Sequence, residues 1–109
     1  MKIQDLTQNL TAISDLYSKR FSIERTPEWY LIKIQEELGE LASAYLKLTG
    51  RARTEGVTVS DLKKNFEDEI ADVLAMTLLF AKSQNVDIEK ALQQKWYKHL
   101  EEARIKSEN

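Results

Sequence analysis

Hydrophobic and polar positions follow the period of an amphipathic α-helix in four separate stretches of the chain. The first stretch runs from about Lys2 to Ser18. Its apolar side chains recur at intervals of three and four residues and are Ile3, Leu6, Leu10, Ile13, Leu16 and Tyr17. A second helix is predicted from Thr26 to about Thr49, because Thr26 suits the N-cap and Gly50 is a typical stop signal.

One loop and two further helices account for the rest of the chain. The residues from Gly50 to Ser60 include two of the three glycines and form the one clear loop. We expect the third helix to begin with Ser60 as its N-cap and to end near Ser83. Asp87 then caps a fourth helix, which is predicted to reach about Arg104 before the tail frays.

The third helix is apolar on more than one side. It carries no charged residue from Val73 to Ala81. Apolar side chains that lie off its main stripe are Leu74, Leu78 and Leu79. Such a helix must be covered on more than one side. The four predicted helices indicate an all-α fold, an antiparallel four-helix bundle in one domain over residues 1–109. Because the third helix needs further cover, we expect the chain to assemble as a homodimer or homotetramer.

Composition and charge exclude several classes of function. The net charge is −2, the sequence pI is about 5.5, and the basic residues are spread along the chain, so no nucleic-acid polymer is expected as a partner. No apolar run approaches the roughly 20 residues of a membrane span, so no membrane partner is expected. The chain has no cysteine, which excludes a disulfide scaffold and a thiolate site and fits a cytoplasmic location.

Two acidic pairs border the apolar stripes of the second and third helices. Glu37 and Glu40 are spaced i, i+3, and Glu69 and Asp72 repeat that spacing. If the two helices pack together, four carboxylates converge, and a divalent cation would relieve their repulsion and desolvation. Hard oxygen ligands favour Mg²⁺ or Mn²⁺ over Zn²⁺. Because Mg²⁺ usually bridges to phosphates, we expect a phosphorylated substrate.

Two alternatives to a magnesium site follow from the same residues. Acidic pairs at this spacing are also common on solvated helix faces, and spacing alone does not separate the two cases. A di-iron carboxylate bundle would need a Glu-x-x-His motif on two helices. The only histidine is His99, and Trp96 stands three residues before it, so the di-iron alternative fails.

The acidic segments also resemble a family signature. Residues 36–40 read Glu-Glu-Leu-Gly-Glu, and residues 69–72 read Glu-Ile-Ala-Asp. This resembles the Glu-Glu-x-x-Glu and Glu-x-x-Asp signature of the MazG-like all-α nucleoside triphosphate pyrophosphohydrolases, and the likeness covers roughly residues 29–100. It implies Mg²⁺-dependent hydrolysis of a nucleoside triphosphate at the α–β phosphate bond to monophosphate and pyrophosphate, in nucleotide-pool cleaning. A phosphoribosyl-ATP pyrophosphohydrolase and a catalytically idle helical adaptor remain as alternatives.

The resemblance assigns roles by matching position. It implies that the Mg²⁺ ligands, with Mn²⁺ as a substitute ion, are Glu37, Glu40, Glu69 and Asp72. The resemblance also implies catalytic roles for Glu36, Glu40 and Glu69. Glu36 lies outermost on the helical wheel, so we expect it to act behind the metal ligands or as the base for water.

Six further side chains are candidates for binding the substrate: Trp29, Lys33, Arg51, Arg53, Lys95 and Lys98. The two loop arginines and the two lysines of the fourth helix suit phosphate oxygens, and the tryptophan could stack on a base. The lysine of the second helix is spaced i, i+4 from Glu37, and a plain ion pair is its competing role. For the others, the competing role is a solvated surface or simple packing.

Overall fold

The computed structural model describes residues 1–108. Its helices are α1 (Ile3–Phe21), α2 (Pro27–Leu48), α3 (Val59–Ser83), α4 (Ile88–Trp96) and α5 (Leu100–Glu108), with a 3-10 turn at Tyr97–His99. These described residues contain no β-strand, which confirms the all-α fold class. In the same part of the chain, no helix combines the length and the apolar character that crossing a bilayer requires.

Local capping signals place the ends of α2 and the start of α4 where the sequence predicts them. The Thr26 hydroxyl accepts a hydrogen bond from the backbone N–H of Trp29 at 3.1 Å. The Asp87 carboxylate accepts one from the backbone N–H of Lys90, also at 3.1 Å. Gly50, just after α2, has a φ of 74°, a left-handed conformation that glycine adopts without strain.

The start of α3 differs from the prediction. The N-cap is Thr58, whose hydroxyl accepts a hydrogen bond from the backbone N–H of Asp61 at 3.1 Å. The helix therefore begins at Val59, and the prediction of Ser60 as the N-cap is wrong. Threonine is also a good N-cap, but the β-branched residues beside it have low helix propensity, so the sequence pattern does not mark the helix as starting there.

The ends of α1 and of the last predicted helix also differ from the sequence pattern. The first helix continues past Ser18 to Phe21 and ends where Ser22 adopts a φ of 53°. The last predicted helix is not continuous, because the 3-10 turn at Tyr97–His99 separates α4 from α5. A 3-10 turn inserted in a helix changes its direction, and apolar periodicity alone does not reveal it.

The centre of the molecule is an antiparallel hairpin formed by α2 and α3. The rings of Tyr30 and Phe80 lie 6.1 Å apart, and those of Tyr45 and Phe66 lie 5.9 Å apart. As the residue number rises along α2, the number of the paired residue on α3 falls, so the two helices run antiparallel. In the described part of the chain, the buried hydrophobic residues all belong to these two helices and are Tyr30, Ala44, Leu62, Leu78 and Leu79.

Among the described helices, α1 is the one that packs closely on this hairpin. The α1 helix runs antiparallel to α3, since the start of α1 lines one cavity with the end of α3, and the later part of α1 lines another with the middle of α3. By contrast, α4 has no buried residue and packs only sparsely on the first three helices. The radius of gyration, 17.6 Å, exceeds the roughly 13 Å expected of a compact chain of this length. The fourth predicted helix therefore does not close a bundle within one chain.

Candidate metal centre

Three carboxylates meet on one side of the α2–α3 hairpin. One oxygen from each of Glu37, Glu40 and Glu69 lies within 4.8 Å of the others. The i, i+3 spacing places the two glutamates of α2 one turn apart on the same face. The antiparallel pairing that sets Tyr45 beside Phe66 also sets Glu40 opposite Glu69. Local helix geometry and the hairpin register together create the cluster.

Two oxygens of the cluster are buried without a partner. Glu37 Oε2 and Glu69 Oε2 are shielded from solvent and have no hydrogen-bond partner among the described residues. A buried polar atom that forms no hydrogen bond is destabilising, and more so if it is charged. A divalent cation would satisfy both atoms. The donors are carboxylate oxygens with no cysteine or histidine, a set that fits Mg²⁺ or Mn²⁺.

The electrostatics of the cluster agree with this fit. Burial raises the pKa of Glu37 to about 7, and the charges of Glu40 and Asp72 add to the rise while Lys33 opposes it. Burial also raises the pKa of Glu69, again with the help of Glu40 and Asp72. Both carboxylates therefore lack enough positive charge nearby to favour their ionised form. A bound cation would reverse this, because coordination favours the deprotonated ligand.

Two of the predicted acidic residues lie at the edge of the cluster. Asp72 is exposed and falls outside the group of three, so the structure brings together three of the four predicted metal ligands. Its charge still acts on both Glu37 and Glu69. Glu36 is also peripheral, with a side chain that is 51% exposed, against 13% for Glu37. Its outer position is the one that the helical wheel predicts.

Lys33 contributes a positive charge beside the acidic group. Its Nζ lies 2.6 Å from Glu36 Oε1 and 4.0 Å from Glu37 Oε1. The pair with Glu37 expected from the i, i+4 spacing is therefore the looser of the two contacts. The hydrogen bond to Glu36 raises the pKa of Lys33, so the lysine keeps its charge at neutral pH.

A cavity of about 420 Å³ opens directly beside the carboxylates, between α1, the start of α2 and α3. Glu37 and Asp72 form part of its wall, together with Trp29 and Lys33. Much of the remaining wall is apolar and includes Leu10, Ile13, Tyr17, Ile23, Met76 and Leu79. An apolar cavity of this size with a few charged groups is the usual form of a small-molecule site.

Arg25 is a cavity residue that the sequence pattern did not single out. Its Nη1 lies 2.9 Å from Asp15 Oδ1 and donates a hydrogen bond to Ser14 Oγ, also at 2.9 Å. These contacts fasten α1 to the segment that leads into α2, and Arg25 and Ser14 both line the cavity. The partners are separated by about ten positions across a turn, so no helical spacing signals the contact.

The other basic candidates lie elsewhere. The Arg51 guanidinium stands 5.4 Å above the ring of Tyr45. Arg53 is exposed in the loop between α2 and α3, and Lys95 and Lys98 are exposed on α4 and in the 3-10 turn. Within the described residues, none of these four basic side chains lines the cavity or belongs to the carboxylate group.

Comparison with known families identifies the kind of domain that contains this site. The model of the MazG nucleotide pyrophosphohydrolase domain matches residues 25–102, more than half of the chain. The chain belongs to the MazG family. No curated protein and no solved structure gives a significant match. Membership in the MazG family indicates a nucleotide pyrophosphohydrolase, and members of this family generally use a divalent metal.

The extent of the match agrees with the geometry. The matched region of this MazG domain contains α2 and α3, so it includes all three clustered carboxylates. The resemblance of the chain to the MazG-like family, predicted over roughly residues 29–100, is thereby confirmed. All of α1 lies before the match, although this helix forms one wall of the cavity.

Proposed function

We propose that this MazG domain hydrolyses a nucleoside triphosphate between its α and β phosphates, releasing nucleoside monophosphate and pyrophosphate, with Mg²⁺ as cofactor. One observation carries the proposal: Glu37, Glu40 and Glu69 converge within 4.8 Å, beside a cavity large enough for a nucleoside. The family supports a nucleotide as substrate. Removal of unwanted triphosphates, which amounts to cleaning the nucleotide pool, is the role that this chemistry serves.

The clustered carboxylates are the groups that would hold the ion. Glu37 and Glu69 offer their unpartnered buried oxygens, and Glu40 closes the group from the solvent side. Asp72, at the edge, would complete the ligand set. When bound, Mg²⁺ neutralises phosphate charge, favours departure of pyrophosphate and lowers the pKa of water, and Mn²⁺ has similar oxygen preferences.

Hydrolysis also needs a group that takes a proton from the attacking water. Glu36 directly precedes Glu37 on α2 and is exposed. It is the carboxylate that would remain available for this role if the other glutamates held the ion. Its hydrogen bond with Lys33 at 2.6 Å restrains its side chain. Glu40 and Glu69 would act on the reaction by helping to hold the cation, whose positive charge would offset that of the phosphates.

The cavity supplies the substrate side of the site. The Trp29 indole offers an apolar surface for a base, and the Lys33 ammonium offers a point charge for a phosphate oxygen. A base in the cavity would direct its phosphates towards Glu37 and Asp72, which lie in the same wall. The remaining basic candidates, Arg51, Arg53, Lys95 and Lys98, would reach this substrate only after a movement or from a neighbouring chain.

A direct assay tests the proposal. The full chain is incubated with Mg²⁺ and each ribo- and deoxyribonucleoside triphosphate, and pyrophosphate, orthophosphate and monophosphate are measured separately. Equal amounts of pyrophosphate and monophosphate, abolished by a chelator, are the expected products. Release of orthophosphate would contradict cleavage at the α–β bond. Phosphoribosyl-ATP in the same panel tests the narrower alternative, and inactivity on every nucleotide would favour the idle adaptor.

A further inference from the structure

Arg25 lines the cavity beside the carboxylates and keeps several hydrogen-bond donors unused. Its guanidinium carries five N–H groups in a rigid, planar fork. Nη1 donates a hydrogen bond to Ser14 Oγ and forms an ion pair with Asp15 Oδ1, each at 2.9 Å. Among the described residues, neither Nε nor Nη2 of Arg25 has a hydrogen-bond partner. The N–H groups on these two nitrogens are therefore available to a ligand in the cavity.

The contacts of Nη1 hold this guanidinium in place. Ser14 and Asp15 are neighbours on α1 and fix one end of the fork, and the side chain of Arg25 is only 24% exposed. Nε and Nη2 lie side by side along the other edge, so their N–H groups point in the same direction and suit two adjacent acceptors. Because the fork is already held, it loses little conformational freedom when it binds, which favours a specific contact.

Arg25 belongs to the part of the cavity wall that suits a base. It directly precedes Thr26, whose hydroxyl accepts a hydrogen bond from the backbone N–H of Trp29, the indole that offers a stacking surface. Glu37 lies two turns beyond Trp29 on α2, about 12 Å further along the helix axis. The ion pair with Asp15 also balances the charge of Arg25, so a neutral carbonyl suits its unused edge better than a triphosphate does.

We propose that Arg25 is a specificity-determining residue, which makes the site prefer 6-oxopurine nucleotides, those with guanine or hypoxanthine as base, over adenine nucleotides. This inference rests on the proposed function, because it assigns the base of that substrate. The O6 and N7 atoms of a 6-oxopurine accept two parallel hydrogen bonds, and arginine is the side chain that most often binds this pair. Adenine carries an amine at position 6, so one donor of the fork would lose its partner, at a cost in affinity.

Binding of inosine monophosphate and adenosine monophosphate tests the inference without turnover. The two ligands share their sugar, phosphate and ring size, and they differ in the oxygen or amine at position 6. Calorimetric titration of the full chain in Mg²⁺ should give a Kd for inosine monophosphate that is lower by about 10-fold or more, as a bidentate arginine contact provides. Equal Kd values for the two ligands, or binding of neither, would overturn the proposal.

A matched pair of variants assigns the preference to Arg25. Arg25→Lys keeps a positive charge beside Asp15 but removes the fork, so the ratio of the two Kd values should fall from about 10-fold to about 2-fold. Arg20→Lys is the control, since Arg20 is an exposed arginine of α1 that does not line the cavity, and it should keep the full preference. An undiminished preference in Arg25→Lys would contradict the assignment.

A purely structural role for Arg25 would give a different result. If this residue only fastened α1, its replacement would weaken both monophosphates by the same factor and leave the ratio of their Kd values unchanged. Asp15→Asn removes the charge of the ion pair and keeps the guanidinium, so it should retain the preference. Loss of the preference in Asp15→Asn alone would overturn the proposal.

The binding ratio and pyrophosphate release are independent measurements. A chain that hydrolyses triphosphates but binds both monophosphates equally would contradict this inference and leave the proposed function standing. A chain that prefers inosine monophosphate but releases no pyrophosphate from any nucleotide would contradict the proposed function alone.

Discussion

Glu37 and Glu69 face each other across two neighbouring helices, and each buries one carboxylate oxygen that has no hydrogen-bond partner among the described residues. The arrangement is destabilising without a cation, since burial and the charges of Glu40 and Asp72 oppose the ionised forms of both side chains. A cation held by these carboxylates would offset that cost. The cluster therefore links the stability of the MazG domain to metal and to pH, and both links can be measured without knowing the substrate.

Mg²⁺ should stabilise the protein through this cluster. At a concentration of Mg²⁺ about 100 times its Kd, binding adds about 2.7 kcal/mol. For a chain of this size that corresponds to a rise in Tm of roughly 10–20 °C, measured by thermal denaturation followed by circular dichroism. Glu37→Gln should abolish most of the rise, while Glu67→Gln, an exposed neighbour on α3, should retain it. An equal rise in Glu37→Gln would show that Mg²⁺ binds elsewhere.

Without metal, stability should fall as the pH rises from about 5 to about 8. The native Glu37 keeps its proton up to a pKa of about 7, whereas the unfolded chain loses it near 4.5. Between these values the native state binds more protons, so raising the pH favours unfolding. Urea denaturation with a chelator present measures the effect, and Glu37→Gln should flatten it. A slope that is the same in both proteins would contradict the assigned pKa.

The helical caps show how far local sequence determines this fold. Thr26 and Asp87 cap their helices as predicted, because an N-cap depends on a few adjacent residues. Ser60 fails as a cap because Thr58, two residues earlier, forms the competing hydrogen bond. The 3-10 turn at Tyr97–His99 gives no sequence signal, since the apolar spacing continues through it.

The same distinction between local and distant contacts applies to the site. The pairing of Glu37 with Glu40 follows from helix geometry, and Glu69 joins them because the hairpin is antiparallel. Asp72 shares the i, i+3 spacing with Glu69 but lies outside the group of three, in the wall of the neighbouring cavity. The ion pair of Arg25 with Asp15 depends on how α1 returns along the hairpin, which no local pattern encodes.

The corrected N-cap gives a direct test of the start of α3. Thr58→Ala should lower the free energy of unfolding by about 1 kcal/mol, because the N–H of Asp61 loses its partner. Ser60→Ala, the control, should change stability by less than about 0.5 kcal/mol, as is usual for an exposed position. Chemical denaturation of both variants measures the difference. A larger loss of unfolding free energy in Ser60→Ala than in Thr58→Ala would show that Ser60 is the N-cap, as the sequence predicts.

Trp29 should report on nucleotide in the cavity. The chain has two tryptophans, so Trp96→Phe leaves Trp29 as the only indole. Titration of this variant with Mg²⁺ and a nucleoside monophosphate should quench or shift its emission, because the base would stack on the cavity wall. Trp29→Phe retains the exposed Trp96 and should show no saturable change. A response from Trp96 alone would place the nucleotide outside the cavity.

Pyrophosphate release by Glu69→Gln tests the central claim most directly. This change removes one ligand charge from the cluster and preserves the shape of the side chain. Relative to wild type, Mg²⁺-dependent release should fall at least about 100-fold, equivalent to about 2.7 kcal/mol of lost transition-state stabilisation, with unchanged helical circular dichroism. Glu67→Gln, two positions away and exposed, should keep wild-type turnover. Full turnover by Glu69→Gln would contradict a metal centre built on these carboxylates.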